Sequence, residues 1–231
     1  AYSAKYQLFY GLVTNASSIN LEAVQKLLLS NLSYLEISVE GLHDYDKAIR
    51  GESHFRTIDN LINGISDKRK INLTSTIFED NQAELIDVIR HFSERGITKF
   101  NFSSYVEFDK DKQNPTKEID SSAMLVFFEK CRSFLESCKN QHDCIDIRLC
   151  FTSKQCYDLF VSDNILSDMI AEKIPKGKKI IYSIGNHILE LNFPLISIPY
   201  MNQLVITHEG YVISCAIEDR KSGSAGMPRP I

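Results

Sequence analysis

Residues 71–102 read INLTSTIFEDNQAELIDVIRHFSERGITKFNF, and this stretch decides the fold. Residues 71–77 set Ile71, Leu73 and Ile77 at alternate positions, separated by polar Asn, Thr and Ser, the pattern of a strand. Asn81 reads as a helix cap, with Glu84 at the capping-box position. Leu85, Val88, Ile89 and Phe92 then form the apolar stripe of an amphipathic helix. Gly96 ends the helix, where positive φ is needed. Residues 97–102 return to strand. A strand, a helix and a strand with short connections make a parallel pair, the unit of an α/β fold.

The same alternation extends in both directions. Upstream, 8–14 reads as a strand, Asn20 caps a helix carrying Leu21, Val24, Leu27 and Leu28, and 34–39 is a second strand. A polar loop then leads to a helix with Phe55, Ile58, Leu61, Ile62 and Ile65 on one face. Downstream, a charged loop over 107–120 precedes a helix at 121–138 and a strand at 144–150. After about residue 175 the pattern changes to short strand-like runs at 180–183, 195–198, 204–207 and 211–215. The expected organisation is an α/β region over 1–174, a small β-rich region over 175–219 and a Gly-, Ser- and Pro-rich disordered tail over 220–231.

Composition narrows the function classes. The chain has 231 residues, a 43% apolar share and a net charge of −4. It can bury a real core, and it offers no electrostatic case for a nucleic-acid partner. No apolar run is long enough to span a membrane. No secretory signal is visible. Six cysteines without a small-domain framework point to a reducing compartment, so a cytoplasmic location is expected. Cys131 and Cys138 fall on one helical face beside Phe127, Phe134 and Leu135 and read as core thiols. No zinc-type histidine pair and no phosphate-binding glycine loop is present.

In parallel sheets, sites lie beyond the carboxyl ends of the strands. Here those ends carry Thr14-Asn15, Ser38 to Glu40, 76–80 and Ser103-Ser104, all rich in hydroxyl, amide and carboxylate groups.

Three segments in order carry a resemblance. They are Gly11-Leu12-Val13-Thr14-Asn15, then Leu35-Glu36-Ile37-Ser38-Val39-Glu40-Gly41, then His43-Asp44, Ile49-Arg50-Gly51 and Phe55. They resemble the third strand (ending Thr-Asn-Gly), the fourth strand (Ile-Ser-Leu-Asp-Gly) and the following His-Asp and Ile-Arg-Gly motifs of radical S-adenosylmethionine (SAM) enzymes. The resemblance is to the peptide-modifying branch with a SPASM or twitch region. It implies a partial (β/α) barrel, SAM and a 4Fe-4S cluster as cofactors, and a peptide or protein substrate. It also implies that Thr14, Asn15, Ser38, Glu40, Arg50 and Asn81 line the SAM pocket. The chemistry suits them: hydroxyls and a carboxylate for the ribose diol or amino group, and a guanidinium for the methionine carboxylate.

The departures are equally specific. The family holds its cluster on CxxxCxxC, and its one-electron cleavage of SAM gives the 5′-deoxyadenosyl radical. No CxxxCxxC occurs here, and the first cysteine is Cys131. The Gly-Gly-Glu segment that receives the SAM amino group is absent too. The expectation is that an N-terminal part of roughly a hundred residues, judged from typical strand–helix unit length, precedes this sequence. Gly210 and Cys215 resemble the Gly-x4-Cys of a SPASM hairpin, which makes Cys215 a candidate auxiliary-cluster ligand, although its upstream partner cysteine is missing. Two further readings stand: an inactive remnant or scaffold that binds a peptide or partner, and an unrelated (β/α)-barrel enzyme using carboxylates such as Glu40 and Asp44.

Overall fold

The structure, a computed structural model, describes residues 10–42, 44–104, 121–140, 143–151, 160, 170–174, 177–194, 205–206, 211–213 and 229–230. Strand β1 is Tyr10–Thr14, followed by helix α1 (Leu21–Leu28) and strand β2 (Leu32–Ser38). Helices α2 (Asp44–Arg50) and α3 (His54–Gly64) lead to β3 (Ile71–Ile77), α4 (Gln82–Ser93) and β4 (Lys99–Ser104). Helix α5 (Ser121–Cys138) precedes β5 (Asp146–Cys150), β6 (Ile170–Ile174), β7 (Gly177–Ile184) and β8 (His187–Pro194). These eight strands form one sheet in the order β1-β2-β3-β4-β5-β8-β7-β6. The pairs from β1 through β5 to β8 are parallel; β8–β7 and β7–β6 are antiparallel. The chain divides into two compact units, 1–194 and 195–231. In the second, β9 (Val205–Ile206), β10 (Tyr211–Ile213) and β11 (Arg229–Pro230) make a small antiparallel sheet.

The α/β class and the parallel sheet are as the sequence predicts. Closure into a barrel is not seen among the described residues: β1 and β6 are open edges. The region after residue 175 differs from expectation. Strands β6 to β8 extend the main sheet, and of these the sequence reading gives only β7, with no strand at β6 or β8. The signal for β8 is Gly185-Asn186, a two-residue hairpin turn, with Gly185 at φ +60. His187, fully buried, fastens this hairpin: Ile145 N donates to its Nδ1 at 3.0 Å, and its Nε2 donates to the Cys138 carbonyl at 2.8 Å.

Register gives the sheet two unlike faces. Leu35, Ile37, Leu73, Ile77, Phe100, Phe102, Ile147, Leu149, Leu189 and Leu191 share one core with the buried stripes of the helices. Phe102 meets Phe127 of α5 edge-on at 5.6 Å. The other face is polar: Glu36 and Ser38 align with Asn72 and Thr74, then with Asn101, Arg148 and Glu190 across the strands. Such alternation is expected when one face packs on helices and the other meets solvent or a ligand.

Candidate functional site

The carboxyl ends of β1, β2 and β3 are tied together by a buried polar network. Glu40, only 4% exposed, stands two residues past β2. Its Oε1 accepts from Arg50 Nη2 at 2.6 Å, and its Oε2 accepts from the Thr76 backbone N–H at 2.9 Å. Its backbone N–H donates to Asp46 Oδ1 at 3.1 Å. Asn81 Nδ2 donates to the Glu40 carbonyl at 3.1 Å and the Thr76 carbonyl at 2.9 Å, while its Oδ1 accepts from Phe78 N at 2.8 Å. Ser75 Oγ donates to the Val39 carbonyl.

Asn81 does cap α4 by position, but the capping box does not form. The Asn81 side chain makes no cap hydrogen bond. Glu84 Oε2 accepts instead from Leu42 N at 3.0 Å. Both residues bind the neighbouring strand exit, because that exit carries carbonyls and N–H groups with no ladder partner, and leaving them buried and unpaired is costly.

Arg50 was expected on a loop; it ends the short helix α2. Thr14 and Asn15 turn inward on their own backbone. Thr14 Oγ1 accepts from Ala16 N at 3.0 Å, and Asn15 Oδ1 accepts from Ser17 N at 3.2 Å and Ser17 Oγ at 2.9 Å. Thr14 pairs with Ile37 in register, so it points to the helix-covered face, whereas Ser38 pairs with Thr74 on the polar face. The structure therefore gathers Glu40, Arg50, Asn81 and the Asn15 backbone in one corner, with Ser38 on the open face beside them. Cys215 and His43 lie outside the described residues.

Sequence reasoning missed the pair that closes the network. Asp46, fully buried, and His54, 5% exposed, meet at 2.8 Å between α2 and α3. His54 Nε2 donates to the Asn15 carbonyl at 2.6 Å. His54 precedes Phe55 on a helix and carries no periodic signal, so only tertiary structure pairs it with Asp46.

The Tyr45 hydroxyl is buried without a partner, and burial first, then Asp80, Glu40 and Glu84, pushes its pKa up to about 12. On the polar face, burial pushes the Cys150 thiol up, partly offset by a hydrogen bond with Ser103. Burial also pushes the Asp146 carboxyl up. Among the described residues, Asp146, Asn192 and Asn72 each leave a buried Oδ1 without a partner on that face. Glu190 is held by Arg148 and Lys179, each at 2.8 Å.

The donor sets discriminate between the two implied cofactors. At the carboxyl ends of β2 and β3, the hydroxyls of Ser38 and Thr76 and the Arg50 guanidinium suit a nucleoside and an amino acid. An iron–sulfur cluster is another matter: among the described residues no three His, Cys, Asp or Glu side chains group as ligands. Cys131 and Cys138 are core thiols, as the sequence predicts. A separate groove of about 790 Å³ runs between α4 and α5, lined by Ala83, Ile86, Leu125 and Val126, and touches none of the strand ends. No helix among the described residues is long and apolar enough to cross a membrane.

No family model matches the sequence, and a search of curated proteins finds no significant match. Solved structures do match. Native anSMEcpe with bound AdoMet, an anaerobic sulfatase-maturating enzyme, superposes with a TM-score of 0.58 at 12% identity, covering 90% of this chain and 51% of that one. The same enzyme with AdoMet and the Kp18Cys peptide gives 0.56 at 13% identity, with 90% and 51% covered. SuiB of Streptococcus suis gives 0.61 at 10% identity, covering 98% of this chain and 47% of that one. The chain spans about half the length of the structures it matches, and what it shares with them is the fold, an α/β arrangement around a mostly parallel sheet.

Proposed function

We propose that this chain is the SAM-holding part of a radical SAM enzyme that modifies a peptide or protein. The observation that carries the reading is the corner where Glu40, Arg50 and Asn81 join the exits of β2 and β3 beside an open polar face. The fold is one whose solved examples include AdoMet-bound and peptide-bound forms.

In this reading Ser38 and Thr76 offer hydroxyls to the ribose diol. Arg50, with one nitrogen on Glu40, has further N–H donors for the methionine carboxylate. Glu40 holds Arg50 and the β3 exit; with both oxygens engaged it is not a free acid or base, which weighs against a carboxylate-based barrel enzyme. Thr14, Asn15 and Asn81 shape the exits. The polar face toward β5 and β8, with Arg148, Glu190 and Asn192, is the surface for the substrate. A bound 4Fe-4S cluster would supply the electron that cleaves SAM. The described residues offer such a cluster no seat.

Titrating SAM into the full chain tests the reading. The expected result is saturable one-to-one binding that Ser38→Val weakens by about tenfold, the equivalent of one lost hydrogen bond in a buried site. A flat titration overturns it.

A further inference from the structure

We infer that Asp46 and His54 act as one positioning pair that sets the exits of β1 and β2 relative to each other. The bearing on SAM rests on the pocket reading above; the positioning itself does not. The Asn15 carbonyl can only accept, so His54 Nε2 carries a hydrogen. The Asp46 carboxylate also accepts, so a second hydrogen lies between it and His54 Nδ1. Asp46 Oδ1 further accepts the Glu40 N–H. An unbroken line of hydrogen bonds thus runs from the β1 exit through His54 and Asp46 to Glu40, and from the Glu40 carboxylate to the β3 exit at Thr76. The β1 exit needs this hold, because the next residue, Ala16, is buried at φ 57, a conformation an alanine leaves readily.

The pair acts through hydrogen-bond geometry. In Asp46→Asn the amide oxygen still accepts from Glu40, and the amide N–H reaches Nδ1 of a neutral ring whose Nε2–H still serves Asn15. Asp46→Ala and His54→Ala each break the line.

Amide hydrogen exchange on the full chain reads the outcome at Ala16 and Thr76. Neither N–H bonds to the pair: Ala16 donates to Thr14 and Thr76 to Glu40. Exchange there is expected to speed up by about tenfold or more in both alanine variants, with the Phe100 and Leu149 amides unchanged and Asp46→Asn matching wild type. Equal acceleration throughout the sheet, no acceleration, or an Asp46→Asn variant as fast as Asp46→Ala each overturns the positioning role. SAM titration runs beside it. A wild-type chain that ignores SAM overturns the pocket reading, while the exchange pattern still decides the pair. Wild-type affinity in variants with accelerated exchange overturns the link between the pair and the ligand.

Discussion

Arg50 Nη2 stands 2.6 Å from Glu40 Oε1, and the carboxylate it meets is buried while the guanidinium is 29% exposed. The pair is asymmetric: removing the arginine strands a buried charge, with only the Thr76 N–H left to it. Arg50→Met should therefore cost about 2–3 kcal/mol, toward the low end for a broken buried pair because Arg50 keeps some solvent. Arg50→Lys keeps the charge, loses the planar fork, and should cost about 1 kcal/mol. Urea denaturation measures both, and equal stability of all three proteins would show the pair to be ornamental.

Asn81 and Glu84 separate local from tertiary roles. A cap-only asparagine loses about 1 kcal/mol on truncation. Asn81 makes three tertiary or turn hydrogen bonds from full burial, so Asn81→Ala should cost about 2–4 kcal/mol. Glu84→Ala, which frees only Leu42 N, should cost about 1 kcal/mol. Similar values for the two would favour the capping-box reading.

How far the sequence reveals this corner follows from what each residue bonds. The periodic elements were legible: α5 and β3 lie where apolar spacing puts them, because burial of one face sets that spacing. Glu40 at a strand exit, Arg50 in the loop after it and Asn81 at a helix start are candidates from the sequence, and in the structure Arg50 and Asn81 both meet Glu40. The Asp46–His54 pair was not legible, because its partners come from three elements and its spacing matches no motif. Helix α2 was hidden by its length, seven residues with little apolar patterning. Thr14 stands at a strand exit, as its position in the sequence suggests, but that it takes the helix-covered face was not legible, because register, not composition, decides which side a strand residue takes.

Ala16 holds a φ of 57, a conformation that favours glycine. In Ala16→Gly, relief of about 1 kcal/mol of backbone strain offsets a similar loss from methyl burial and added chain entropy. Stability should stay within about 0.5 kcal/mol of wild type, while Ala16→Val should lose more than about 2 kcal/mol. A thermal melt that shows Ala16→Gly clearly destabilised would contradict the strained geometry.

Asp146 gives a pH test. Burial raises its carboxyl pKa, with Arg148 and Lys99 opposing and Glu190 adding. A carboxyl raised in the folded state binds protons the unfolded state has released. Its contribution is therefore complete below the ordinary carboxylate range and is lost as pH rises through the folded value. Asp146→Asn removes that loss: it should melt higher than wild type at neutral pH, with the gap closing as pH falls and gone below about 4. A gap that widens on acidification would reverse the assignment.

The most direct test of the account is amide exchange on the full chain with and without SAM. Binding at the β1–β3 corner predicts new protection at Ala16, Ser38, Glu40 and Thr76, and little change in the α4–α5 groove. Protection confined to that groove, or none anywhere at saturating SAM, would contradict it.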